Sequence, residues 1–162
     1  MNWNEINVYL APIGSQVRVS REAGIDGEDN SAPTVVTITP PPMLEPRPVH
    51  RATIELWFET AGFRAAQLRL ESSRYEWEDV SAAIVTNRAL LTSILFSFKA
   101  DASLRERMLT WNELVGRVCE ANYLELVNPA TGLAPASEFQ KLVERSFAWG
   151  YFIEMEKWRR FG

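Results

Sequence analysis

The side chains able to do chemistry are few and far apart. His50 is the only imidazole and Cys119 the only thiol, about 70 residues away. A catalytic histidine needs an orienting carboxylate and a nucleophile or substrate beside it, and zinc needs at least three ligands, so neither residue carries a site alone. His50 follows a Pro-Arg-Pro run and reads as a surface or strand-entry residue. Cys119 sits where an apolar helix should end. The helix dipole there disfavours a thiolate, so a small buried hydrophobe is the expectation. The stretch Asp26-Gly-Glu-Asp-Asn30 spaces its oxygens like the start of a calcium loop, but Ser31 and Thr37 hold the positions that require glycine and glutamate. Two carboxylate groups remain, Glu76 with Glu78 and Asp79, and Glu154 with Glu156. Paired carboxylates work only when one is desolvated in a cleft, and both groups lie among arginine or lysine in polar stretches. No Gly-rich phosphate loop, G-x-S-x-G or C-x-x-C occurs. The chain is therefore expected to hold no catalytic residue, no metal and no cofactor.

Composition narrows the choice further. Twenty-one acidic and seventeen basic residues leave a net charge of −4, which argues against tight nucleic-acid binding through a basic face. A single cysteine cannot form an internal disulfide. With 162 residues, 46% apolar and 23% charged, the chain suits one globular domain over 1–162. Residues 1–5, Met-Asn-Trp-Asn-Glu, lack the features of a secretory signal, and the apolar run Ala82–Phe98 is broken by polar residues. A soluble protein without membrane contact, not exported by a signal peptide, is the expectation.

The elements that would position any function are unevenly legible. Six of the nine prolines fall between Gly24 and Pro48, which predicts an extended loop or arm around one short β-branched strand, Thr34–Thr39. Flanking prolines suit an edge strand, so residues 34–39 are expected at or near a subunit boundary. Arg51–Thr60 alternates through Ala52, Ile54, Leu56 and Phe58 and reads as a strand. Ala61-Gly62 would turn it into a return strand carrying Ala66, Leu68 and Leu70. Trp77, Val80 and Ile84 have helical spacing, and Thr92–Lys99 alternates as a strand.

The second half has the strongest helix. Leu104, Met108, Trp111, Val115 and Val118 form one apolar stripe behind a capping box, Ser103-Leu-Arg-Glu106. Tyr123–Val127 reads as a strand, and Ser137-Glu-Phe-Gln140 as the capping box of a helix near 138–146. From Phe147 a strand pattern (Trp149, Tyr151, Ile153, Met155) competes with a continuing helical stripe; Gly150 and the aromatics favour the strand. The expected fold is α+β, a mostly antiparallel sheet with two amphipathic helices, about 104–119 and 138–146, and the Pro-rich arm 24–48.

Six tryptophans and eight phenylalanines exceed what such a core needs. Trp57 lies on the polar side of its expected strand, and Trp158 stands in a charged tail with Arg159 and Arg160. Aromatics beside arginine are enriched at protein interfaces. Together with the arm residues Val35, Val36 and Ile38, they form the expected interface set.

The arm strand 33–40, the strand 94–102 running directly into the helix 104–119, and Glu144-Arg145 ahead of a closing aromatic segment resemble the neck and tail-terminator proteins of tailed bacteriophages. That family opens with an amphipathic helix, whereas residues 1–21 here read as extended and the 51–71 hairpin is long for it. The resemblance implies a non-enzymatic virion subunit, a homo-oligomeric ring (a hexamer) at the head–tail junction that contacts neighbouring virion proteins. The rival readings are a small adaptor or chaperone that binds one partner through the Pro-rich arm, and an enzyme built on a carboxylate site.

Overall fold

The computed structural model describes residues 5–21, 34–40, 49–101 and 103–161. It is an α+β domain in which every strand pairing is antiparallel. In chain order the strands are β1 (Glu5–Pro12), β2 (Gln16–Arg21), β3 (Thr34–Thr39), β4 (Arg64–Leu68), β5 (Ser72–Trp77), β6 (Val80–Asn87), β7 (Leu90–Lys99), β8 (Leu124–Asn128) and β9 (Gly132–Ala134). The helices are α1 (Arg51–Thr60), α2 (Leu104–Asn122), α3 (Phe139–Glu144) and α4 (Phe147–Phe161), with a 3-10 turn at Ala136–Glu138. Seven strands form one sheet in the order β4-β5-β6-β7-β1-β8-β9, and β2 and β3 form a separate two-stranded ribbon.

One face of the large sheet makes the core. Cross-strand partners Val8, Phe96 and Ala82, and Ile6, Phe98 and Val80, lie in rows and are buried. Helix α1 lays Ile54 and Phe58 on this face, with Phe58 stacked on Tyr75 at 5.8 Å. Helix α2 contributes Leu104, Met108, Trp111, Leu114, Val115 and Val118, and Trp111 meets Phe98 at 5.0 Å. Phe139 of α3 closes on Phe98 from another side, at 5.4 Å.

Several expectations are corrected. Arg51–Thr60 is a helix because Ile54, Trp57, Phe58 and Ala61 fall at i, i+3, i+4 and i+7, a stripe that meets the core, while Ala52 and Leu56 stay exposed. The strand after Gly62 therefore pairs with β5, through a register shift between Ala65 and Gln67. Trp77, Val80 and Ile84 are strand residues around the two-residue turn Glu78-Asp79. Residues 147–161 are helical; Ala148, Trp149, Phe152 and Ile153 supply the inward side, and the Ser146 hydroxyl accepts from the Trp149 N–H at 3.3 Å, capping the helix start. Among the described residues there are thus four α-helices where two were expected.

Neither anticipated capping box forms. Ser103 has φ −97° and ψ 10° and turns its hydroxyl onto Asp101 at 2.7 Å instead. Ser137 lies inside the 3-10 turn, and no side chain caps α3. Strand β3 pairs with β2 along all six of its residues.

Candidate functional site

The expected interface residues fall on three elements. Val36 and Ile38 are half-buried on β3, and the side chain of Val35 lies outside the described residues. Trp57 is half-buried on α1, edge-on to Phe58 at 5.2 Å, and packs against the core. Trp158 is 72% exposed on α4. The side chains of Arg159 and Arg160 lie outside the described residues, as do residues 24–33 and 41–48 of the arm and the whole acidic stretch 26–30. No ring contact joins Trp57 to Trp158. Trp57 belongs with the core, and Trp158 with the surface.

Two further exposed apolar residues lie at the free edge of the sheet. Strand β4 ends the seven-stranded order, and all five of its residues are exposed. Leu68 is 63% exposed, and Leu70, just beyond it, 86%. An edge strand presents a row of unpaired N–H and C=O groups, and proteins that stay monomeric usually guard such a row with charge, proline or a covering element.

A polar clamp fixes how this edge is presented. Arg51 on α1 pairs with Glu55 at 2.7 Å. It also donates to the Arg69 carbonyl at 2.7 Å, to the Ser73 hydroxyl at 2.6 Å, and to the Leu70 carbonyl. Ser73 in turn donates to Glu55 at 2.8 Å. The β4–β5 turn is thereby tied to the first turn of α1, which holds Leu68 and Leu70 outward. Tyr75 completes the row, donating to Glu59 at 3.4 Å; burial, then the nearby Glu55 and Glu59, push its hydroxyl up to about 12.

Of the carboxylates considered for chemistry, those whose side chains are described are engaged in ion pairs or turns, and the side chain of Glu156 lies outside the described residues. Asp79 pairs with Arg107, which also bonds Asp101 at 2.8 Å and lies over the Trp111 ring at 5.1 Å. Hydrogen bonds from the Ser103 hydroxyl and amide hold Asp101 below the usual carboxylate range. Glu76 lies 3.9 Å from Arg64 and 3.6 Å from Arg74, Glu78 forms the hairpin turn with φ 51°, and Glu154 pairs with Lys157 at 3.4 Å. This network ties the β5–β6 turn and the end of β7 to α2.

His50 is exposed, bridges to Leu90, and precedes α1 without capping it by a side-chain bond. Cys119 is buried, and its thiol is pushed up to about 12, chiefly by burial. Among the described residues no three His, Cys, Asp or Glu side chains are grouped to hold a metal, and no helix is long and apolar enough to cross a membrane. The chain matches no protein-family model, no curated protein and no solved structure.

The Arg51 clamp was not anticipated from sequence. Arg51 and Glu55 do stand at i, i+4, but that spacing carries meaning only once the segment is read as a helix. The exposed β4 edge was equally hidden, because Leu68 and Leu70 read as the apolar side of a buried hairpin.

Proposed function

We propose that this chain is a non-enzymatic structural subunit of a multiprotein assembly, of the neck or tail-terminator type found in tailed-phage virions, that associates with copies of itself into a ring. The observation that carries this reading is the β4 edge: five exposed residues, followed by a clamped turn that displays Leu68 and Leu70. Holding two leucines in water costs roughly 1.5–3 kcal/mol each relative to burial, so a covering surface would gain that stabilisation.

The sheet also ends in two unlike edges, β4 on one side and the short β9 on the other. Pairing of unlike surfaces is a heterologous contact, and such contacts generate closed rings when the rotation between neighbours closes. Residues 5–21 are extended, as β1 and β2, so that departure from the family pattern stands, while Arg51–Thr60 is the helix α1. That helix removes the long 51–71 hairpin that did not fit. Ile38 on β3 extends the proposed contact surface, and Trp158 on α4 offers an exposed aromatic to a neighbouring virion protein.

Negative-stain images and native mass of the purified full-length chain test the reading. Discrete rings of uniform diameter support it. A monomer at every concentration, or measurable turnover lost on changing Glu76 or Glu154, would count against it.

A further inference from the structure

The seven-stranded sheet is split. Strand β1 pairs with β7 from Glu5 to Leu10, but with β8 only from Leu10 to Pro12. Toward Tyr9 and Val127 the two strands part, and among the described residues no strand pairs with Glu5–Tyr9 on that side. A cleft of about 720 Å³ fills the opening, between the outer wall given by Val127 and the α3–α4 junction given by Leu142 and Arg145, with Val36 of β3 at its margin.

Main-chain polarity at the split follows from the ladder. The Ile13 N–H donates to the Tyr123 carbonyl, on the same register as Ala11 with Glu125. In an antiparallel pair such groups alternate, so odd residues of β1 direct their peptide groups toward β8 and even residues toward β7. Pro12, which has no N–H, fits this assignment, because its nitrogen faces the β7 side just beyond the end of that ladder. The N–H and C=O of Asn7 and the N–H of Tyr9 therefore point into the cleft. Donors and acceptors spaced two residues apart along an apolar wall match the backbone of an extended peptide. At the lip, Arg145 is exposed and makes no ion pair with any described residue, while Glu138 and Lys141 both line the adjoining groove.

The geometry points to a strand-accepting cleft: an extended segment of another protein, bearing a carboxylate opposite Arg145, adds to β1 at Asn7 and Tyr9. This is independent of the β4 edge and does not rest on the ring. Addition there supplies main-chain hydrogen bonds for affinity, while Val36, Val127 and Leu142 select apolar side chains on the inward positions. Arg145 at the lip favours a carboxylate on the partner.

Amide chemical shifts of the ¹⁵N-labelled full chain provide the test, with capped Thr-Val-Xaa-Val-Thr peptides (Xaa glutamate, glutamine or lysine) as probes. The amides of Asn7 and Tyr9 should shift on titration. The glutamate peptide should bind at least several-fold tighter than the lysine one, and Arg145→Glu should reverse that order. Asn7→Pro removes the N–H that faces the cleft and should weaken binding about tenfold relative to Asn7→Ala, which equally loses the bond from the Ser97 hydroxyl, with the fold of both retained by circular dichroism. Three results would overturn the proposal: no shift at Asn7 or Tyr9 with any peptide, equal binding of all three, or hydrogen-exchange protection of those two amides in the free chain. Self-association abolished by Asn7→Pro would make the occupant a second copy and overturn the assignment to another protein.

Discussion

Replacing Trp111 with alanine attacks the place where helix α2, strand β7 and the Arg107 network meet. Trp111 is 1% exposed, packs on Phe98 at 5.0 Å, and carries the Arg107 guanidinium over its ring at 5.1 Å. Truncating a buried aromatic to alanine costs about 3–5 kcal/mol through lost transfer energy and the cavity left behind. The cation–π contact adds roughly 0.5–1 kcal/mol, since Arg107 is only partly shielded from water. The expected loss is therefore about 3.5–6 kcal/mol, a large share of the roughly 5–15 kcal/mol that stabilises an ordinary domain. Urea denaturation followed by far-UV circular dichroism measures it, with Trp111→Phe as a control expected to lose no more than about 2 kcal/mol because an aromatic ring is kept. A loss below about 1 kcal/mol for Trp111→Ala, at an unchanged slope against urea, would refute the packing described for α2.

Three further outcomes are expected. Ser73→Ala leaves the half-buried Arg51–Glu55 pair one hydrogen bond short on each side, costing about 1–2 kcal/mol, and should speed amide exchange across residues 69–73 more than in α2. Tyr75 and Cys119 are both raised to about 12, from 10 and 9, so each favours the folded state below its unfolded value. That stability is lost as pH rises through about 9–12, and Tyr75→Phe should flatten the upper part of the fall in a denaturation series. Gly116 lies mid-helix with open space where a Cβ would sit, so Gly116→Ala should stabilise the chain by about 0.5–1 kcal/mol in the same urea assay.

Sequence legibility followed how sharply each segment's period distinguished helix from strand. Strand β7 and helix α2 were readable because Ile94, Phe96 and Phe98 alternate over one run, and Leu104 to Val118 repeat over four turns. Arg51–Thr60 was ambiguous because ten residues hold both an alternating set and an i, i+3, i+4 set, with Ile54 and Phe58 common to both. Only the sheet beneath decides between them. Residues 147–161 failed for a related reason: aromatics are abundant on both sides of α4, where Tyr151 and Met155 remain exposed, so strand propensity outweighed the helical pattern. The first capping box failed because a competing acceptor, Asp101, takes the Ser103 hydroxyl, and the second because Ser137 lies inside the 3-10 turn. The Arg51 clamp and the split between β1 and β8 depend on elements far apart in sequence, which local patterning does not couple.

Sedimentation velocity of the wild-type chain beside a Leu68→Lys, Leu70→Lys double variant tests the assembly role most directly. Both leucines are exposed, so the variant should keep its circular dichroism while lysine blocks the β4 edge. The account predicts a wild-type species at a multiple of 18.5 kDa and a variant that sediments as the 18.5 kDa monomer. A wild-type chain that stays monomeric at every concentration, or a variant that assembles as well as the wild type, would contradict it.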